Sequence, residues 1–394
     1  MWRLYGCRSC HGALAEGVTA PALRGTARAA PAFVGIVRSG AQGMRAYSPE
    51  EIPDQQLADL HAWLQALPAA APTPIPNALG LALPPGMMVA IFSDREQRPA
   101  GLAVGPDGAV YVAEQAAAGA GQIVRLPDAD GDGQAGQAIV VTAGLDQPRG
   151  LAWWTPQGQA PILLAATGAG LVVVDGDQAR LAGLVGDAAG RANAVAPGTD
   201  GLIYVTEGAS GAGAPQPGAV WRFSPAALLL EDGPRPGELF VSGLRSAAGI
   251  AISPSGAIYV TDNGQGWPLR PDVPDELNVL LGGGDYGWPT VWGQPPAGSG
   301  AIGPMALFPA GSDAGSLLFY SGRMFDEYAA DLLVALPGLG QVARVEIVSD
   351  VTGYQVTVHD FISGLGRPVA LAEGPQGELY VADAAAGRVY RLWR

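Results

Sequence analysis

Hydrophobic positions follow two rhythms along the 394 residues. Near the N-terminus Leu57, Leu60, Leu64 and Leu67 recur at helical spacing with Trp63 beside them, the apolar stripe of an amphipathic helix. Two helix starts precede the stripe, Ser48-Pro49 ahead of Glu50 and Glu51, and then Pro53-Asp54. From Leu83 onward short apolar runs alternate with turn residues, and one phrase returns. Gly101-Leu-Ala-Val-Gly-Pro-Asp-Gly108 runs into Ala109-Val-Tyr-Val-Ala-Glu114, and Gly150 opens a degenerate copy. Further copies begin at Ala194, Gly249 and Ala370 and end at Glu207, Asp262 and Asp383. Each copy reads as strand, tight turn, strand, because its Pro-Asp-Gly centre sets the φ angles of a hairpin turn. The copies start 49, 44, 55 and 121 residues apart. The last interval is about twice the others, so one unit lacks the phrase, and Ser316 to Ile347 supplies its strands. This period predicts a six-bladed β-propeller over 84–394. Its ring closes when Met87–Phe92 becomes the outer strand of the blade ending at Arg388–Trp393. A β-sandwich is the alternative, and it leaves the repeated phrase unexplained. Between the two rhythms, residues 69–83 form an extended, semi-rigid Ala/Pro linker. The chain therefore reads as 1–68, 69–83 and 84–394.

Composition agrees with a turn-rich chain: 58 glycines, 34 prolines and only 15% charged residues. A net charge of −14 argues against nucleic acid and against an anionic membrane surface, and it suits a basic electron-transfer partner. No run of eighteen apolar residues is present, so no membrane span is expected.

The chemistry concentrates in Cys7-Arg8-Ser9-Cys10-His11, a C-x-x-C-H run that is the attachment sequence of haem c. Two thiols three positions apart each add to a vinyl group, and the histidine reaches the iron as neutral imidazole. A redox C-x-x-C or half of a zinc site are the competing readings. Zinc would need two more ligands where the chain has no other cysteine, and a thioredoxin-like motif would need a βαβ context. With both cysteines taken by haem, no structural disulfide is expected. Covalent haem is assembled outside the cytoplasm, so the expected location is periplasmic or extracellular. No basic and then apolar leader precedes the motif, and the start reads as processed, truncated or misassigned.

Downstream lie Ala20-Pro21-Ala22-Leu23 and Val37-Arg38 through Met44-Arg45-Ala46-Tyr47. With the motif, these resemble a small class I cytochrome c, an all-α domain. The resemblance implies that the Pro21 carbonyl accepts the His11 Nδ1–H, that Met44 is the sixth ligand and that Arg38 pairs with a haem propionate. A core methionine is the other reading of Met44. The family usually has proline after this methionine, where this chain has Arg45. His61, at the edge of the stripe, reads as a partly buried helix histidine.

One stretch departs from the repeat: Gly243-Leu-Arg245, Thr261-Asp-Asn-Gly-Gln-Gly266, Pro274-Asp-Glu-Leu-Asn278 and Gly284-Asp-Tyr-Gly-Trp-Pro289. It resembles the soluble sugar dehydrogenases that carry pyrroloquinoline quinone (PQQ) on a six-bladed propeller, some of them fused to a cytochrome c. The resemblance implies cofactor contacts from Arg245 and Arg367. It implies calcium on the carbonyls of Gly264 and Gln265, with Asp275 behind them. Guanidiniums suit a tricarboxylate, and carbonyl oxygens suit a hard cation. The family's catalytic histidine has no counterpart near Gly190-Arg-Ala-Asn-Ala194, its cofactor lysine falls near Leu336-Pro337, and a second arginine becomes Val369. His359 lies in an outer-strand pattern. Glu114, Glu207 and Asp262 end their phrases and are explained by the repeat, although a carboxylate in principle replaces a missing base. Asp128, Asp130 and Asp132, with Gly133, resemble the first half of a calcium loop without its closing glutamate, or else an acidic turn.

Two functions are expected from this reading. One is a quinohaemoprotein oxidising a sugar or alcohol and passing electrons through haem c to a redox partner. The other is a c-type cytochrome subunit whose degenerate propeller is a protein-binding platform.

Overall fold

The computed structural model describes the chain except residues 1, 3, 12–14, 16–19, 42, 68–76, 116–119, 187–190, 209–217, 231, 265–272 and 351–352. Two compact units emerge, Met1–Ile75 with Glu346–Thr357, and Pro76–Val345 with Val358–Arg394.

The N-terminal segment contains α1 (Cys7–His11), α2 (Ala30–Ser39) and α3 (Asp54–Ala66). Helix α3 begins at the second of the two expected starts, with Asp54 in its first turn where the helix dipole favours an anion. The first start becomes a single turn closed reciprocally: Ser48 N–H donates to Glu51 Oε2 at 2.8 Å, and Glu51 N–H to Ser48 Oγ at 3.3 Å. The leucine stripe does what its spacing implies. Leu57, Leu60 and Leu64 are buried against Phe33, Val37, Tyr47 and Ile52, while Trp63 and Leu67 border the cluster. Each such leucine contributes roughly 1.5–3 kcal/mol of burial. His61 is buried and its Nε2 lies 2.7 Å from the Arg28 carbonyl oxygen, tying α3 to the segment before α2.

The rest of the chain forms six sheets, described in sequence order as blades one to six. Blade one holds Pro99–Val104, Val110–Glu114, Gly121–Leu126 and Ile139–Leu145. The innermost strands of blades two to six are Leu151–Trp154, Arg191–Pro197, Ala247–Ile252, Leu317–Phe319 and Pro368–Glu373. Blade two gains a fifth strand, Arg235–Pro236, parallel to Gln178–Leu184. Blade five, the unit without the phrase, is built from Leu317–Phe319, Leu332–Leu336, Gln341–Asp350 and Gly353–Ser363, which includes His359. Ring closure is as expected: Met88–Ser93 pairs antiparallel with Arg388–Trp393 in blade six.

Turn chemistry explains why the phrase repeats. Its closing glycines Gly108, Gly201, Gly256 and Gly377 have φ of 77°, 84°, 89° and 90°, the left-handed region that a Cβ disfavours. The turn carboxylate bonds back to the phrase tyrosine, Tyr204 Oη donating to Asp200 Oδ2 at 2.6 Å and Tyr111 Oη to Asp107 Oδ2 at 3.3 Å. The strand following the turn is then wholly buried, as in Val110–Glu114, Ile258–Asp262 and Leu379–Asp383.

Part of the expected linker is packed. Leu81 is buried, and Ala82 and Ser363 exchange backbone hydrogen bonds of 2.9 and 3.1 Å. Its residues 69–76 lie outside the described residues. No helix among the described residues is long and apolar enough to cross a membrane.

Candidate functional site

Helix α1 places Cys7 and Cys10 one turn apart, neither in a disulfide, with His11 at its end. His11 Nδ1 lies 2.7 Å from the Pro21 carbonyl oxygen. A carbonyl only accepts, so Nδ1 carries the proton and Nε2 keeps the lone pair a metal needs. Burial pushes the Cys7 thiol up to about 11, the reverse of the low values that make a redox C-x-x-C reactive. Met44 borders the hydrophobic cluster of the helices and sits in a tight loop, its N–H and carbonyl both bonded to Ala41. Gly40 makes that loop possible: its φ is 73°, and a Cβ there would meet the Met44 carbonyl oxygen at 2.6 Å. Arg45, in place of the family proline, pairs with Glu51 at 2.8 Å and lies 4.1 Å over the Tyr47 ring. Arg38, expected beside a propionate, donates to the carbonyls of Tyr47, Ser48 and Ile52 and to Asp54, pinning the methionine loop to the start of α3.

In the propeller the innermost strands begin around a central cavity of about 630 Å³. Arg98, Arg149 and Arg367 line it, from blades one, two and six. Arg367 donates to Asp313 Oδ2 at 2.5 Å, and Asn263 Nδ2 to Asp313 Oδ1 at 2.6 Å. Arg149 donates to the amide oxygens of Asn193 at 3.1 Å and Gln147 at 3.2 Å. Burial, with the neighbouring Arg191 charge, pushes its guanidinium below the usual arginine range. The backbone is strained at this rim: Arg98, Gln147 and Asp313 have φ of 53°, 43° and 56° just ahead of their inner strands. Val369 and Pro337 are part of the wall, so the missing second arginine and lysine leave apolar surface there.

The phrase-ending carboxylates hold the segments that enter the ring. Asp383 accepts from the N–H groups of Gly366 and Arg367 at 2.7 and 2.8 Å. Asp262 accepts from those of Arg245 and Ser246 at 2.8 and 2.6 Å, and Glu114 from that of Gln97 at 2.6 Å. Asp262 is pushed up to about 7, by burial and then by the neighbouring Glu276 charge. Glu114, Glu207 and Asp262 stay out of the cavity wall.

Of the two expected cofactor arginines, the structure brings Arg367 to the cavity and keeps Arg245 out of it. Arg245 Nη1 donates to the Asn263 carbonyl at 2.6 Å, and its Cζ lies 5.7 Å from the Trp288 ring, in a narrow crevice shared with Gly264 and Glu276. Asp275 is fully buried and accepts from the N–H groups of Gly264 at 2.8 Å and Ala314 at 2.9 Å, so it fixes the backbone that the resemblance assigns to calcium. Gln265 lies outside the described residues. Asp128, Asp130 and Asp132 do converge, with carboxylate oxygens within 4.8 Å of one another. Two of these carboxylates also accept from loop N–H groups, of Gly133 at 3.1 Å and Gln134 at 2.8 Å.

Sequence reading missed Arg98, Arg149 and Asp313. A signal existed for the first: Arg98-Pro99 stands before the phrase in blade one as Arg367-Pro368 does in blade six.

Residues 5–64 match the family model of cytochrome c oxidase, cbb3-type, subunit III, and residues 215–391 that of glucose/sorbosone dehydrogenase. Residues 114–276 match a domain of unknown function. No curated protein sequence matches. Among solved structures, a glucose dehydrogenase described as a putative oxidoreductase from Thermus thermophilus is 23% identical, covers 78% of this chain and 100% of its own, and has a TM-score of 0.58. The holo PQQ domain of pyranose dehydrogenase from Coprinopsis cinerea gives 19% identity, 82% and 99% coverage and a TM-score of 0.62. PQQ-bound aldose sugar dehydrogenase from Streptomyces coelicolor gives 20%, 79% and 99%, and 0.53. At these identities the likeness carries the fold. The chain joins a cytochrome c domain, which implies haem c, to a glucose/sorbosone dehydrogenase-type domain on a six-bladed propeller, the composition of an electron-transfer oxidoreductase.

Proposed function

We propose that this is a periplasmic or extracellular quinohaemoprotein that oxidises a sugar in the propeller cavity and delivers the electrons to haem c on Cys7, Cys10, His11 and Met44. The observation that carries the reading is the cavity's charge. Among the described residues of its wall, three guanidiniums stand with one carboxylate, Asp313, in a chain whose net charge is −14. Such a wall suits carboxylate ligands, with Arg367 the guanidinium on the cofactor's side, and the cavity lies within the roughly 300–1,000 Å³ of small-molecule sites. The residues present therefore fit PQQ on its charged side, with Arg367 as one clamp, while Gly264, which the resemblance assigns to calcium, lies braced by Asp275 in the neighbouring crevice. Bound there, PQQ would supply the two-electron acceptor for the substrate.

The chain's own residues do the rest. Asp383 fixes the backbone of Arg367, and Asp313 aims its guanidinium. Asn193, held by Arg149 and by the Ala247 carbonyl at 2.8 Å, orients hydroxyl groups but takes no proton. Asp313 is the one carboxylate in the described wall and therefore the candidate proton acceptor. A carboxylate stands there in place of the family's histidine, so turnover is expected to fall short of a histidine-equipped site by up to roughly 10²–10⁴-fold.

The test is to load the haem-containing chain with PQQ and calcium, add aldoses, and follow haem reduction at one-electron resolution. Slow reduction that Asp313→Asn abolishes supports the reading. No reduction with any sugar, together with no PQQ binding by calorimetry, leaves an electron carrier with a binding platform.

A further inference from the structure

Two of the three cavity guanidiniums are outside the set that the resemblance gives to the cofactor, and they differ from Arg367 in their surroundings. Arg367 has Asp313 as a counter-ion. Arg98 makes no side-chain hydrogen bond or ion pair with the described residues. Arg149 reaches only neutral amide oxygens, and its Nε is buried with no partner. The Arg191 charge repels it, and Asp146 offsets part of that repulsion. Holding the half-buried Arg149 without an ion-pair partner is costly, and the cost is relieved when an anion enters, while the exposed Arg98 leaves its fork free for the same anion. The whole chain contains no lysine, its 22 basic residues all being arginines, so each cation here is a rigid fork matched to a carboxylate.

Their place in the ring sets them apart from the calcium-side features, although Arg98 opens the blade next to that of Arg367. Gly264 and Asp275 belong to blade four and Arg367 to blade six, whereas Arg98 and Arg149 open blades one and two. With six blades in sequence order, blade one stands across the ring from blade four. We propose that Arg98 and Arg149 form a carboxylate subsite for the substrate, so that the cavity takes a carbohydrate acid in preference to a neutral sugar. The carbohydrate part rests on the quinohaemoprotein reading above. The carboxylate part rests on the two uncompensated guanidiniums.

Calorimetry on the full haem-loaded chain tests it, with D-glucuronate, D-gluconate and D-glucose titrated in the absence and presence of PQQ and calcium. The acids are expected to bind at least tenfold more tightly than glucose, and more weakly as salt rises. Arg98→Gln and Arg149→Gln are each expected to weaken the acids at least tenfold and to leave PQQ affinity unchanged. Arg98 is exposed, so its variant keeps the fold, and thermal unfolding run alongside checks both. Equal affinity for glucose and the acids overturns the proposal, as do variants that lose PQQ while keeping the acids, since the pair would then serve the cofactor. If PQQ never binds but the acids do, and the variants lose them, the carboxylate subsite stands and the quinohaemoprotein reading falls.

Discussion

The haem-binding segment and the propeller cavity assemble their chemistry in opposite ways. Cys7, Cys10 and His11 share one helix of five residues, and the carbonyl that orients the histidine comes ten residues later from Pro21. Arg98, Arg149, Asn193, Asp313 and Arg367 reach their cavity from separate blades, across 270 residues of chain. A local site needs little beyond its helix, so its residues announce themselves by spacing. A ring site exists only when the ring closes, and each of its side chains is aimed by bonds to distant residues, such as Arg367 to Asp313.

The largest effect that separates the two regions is expected from Cys7→Ala with Cys10→Ala. Covalent haem should vanish from the denatured protein's mass, while PQQ titration of the propeller is unchanged; haem that stays attached, or a propeller that fails with it, would break the contrast. In the same segment Met44→Ala should remove the weak near-infrared methionine–iron band of the oxidised protein.

Removing the closing strand comes next. A chain beginning at Asn77 keeps Leu81 and the Ala82–Ser363 bonds and should unfold cooperatively. One beginning at Asp94 lacks Met88–Ser93, leaves Arg388–Trp393 as a bare edge and should unfold several degrees lower or aggregate. Equal midpoints would show that the ring does not depend on closure.

A smaller effect tests the carboxylate clamps. Asp262 binds its proton more tightly folded than unfolded, so folded protein holds the proton where unfolded protein has released it. Stability is then lost as pH rises from about 4 to 7, by up to roughly 1.4 kcal/mol per unit. Asp275 and Glu276, also raised by burial, act in the same direction. Denaturant titrations across this range should show the slope, and Asp262→Asn should flatten it; an unchanged slope would remove Asp262 from the account.

The smallest change is expected at the acidic loop. Chelation of added calcium should lower the unfolding midpoint slightly in the parent and not at all in Asp130→Asn, because only three carboxylates converge there and no closing glutamate joins them.

Much of the fold was legible because its determinants are short-range. The leucine stripe of α3, the Pro-Asp-Gly turns, the blade without the phrase and the closing strand all follow from periodicity and turn chemistry. The site was less legible. The phrase-ending carboxylates read as mere repeat, yet Asp383 and Asp262 position the residues that enter the ring. Arg245 and Arg367 looked equivalent in sequence and are separated by a single bond from Arg245 to the Asn263 carbonyl, which turns its guanidinium under Trp288.

By itself the sequence determined the C-x-x-C-H haem motif, the helical stripe, the number of blades and the strand that closes them. Each of these depends on residues within a few positions of one another, or on a repeat that registers the same local chemistry many times. Only the tertiary structure decided which arginines share the cavity, that Asp313 is its carboxylate and that Arg98 and Arg149 stand there without a counter-ion. Those facts depend on the directions of side chains brought together from blades roughly 50 residues apart, and direction is set by partners that no local pattern names.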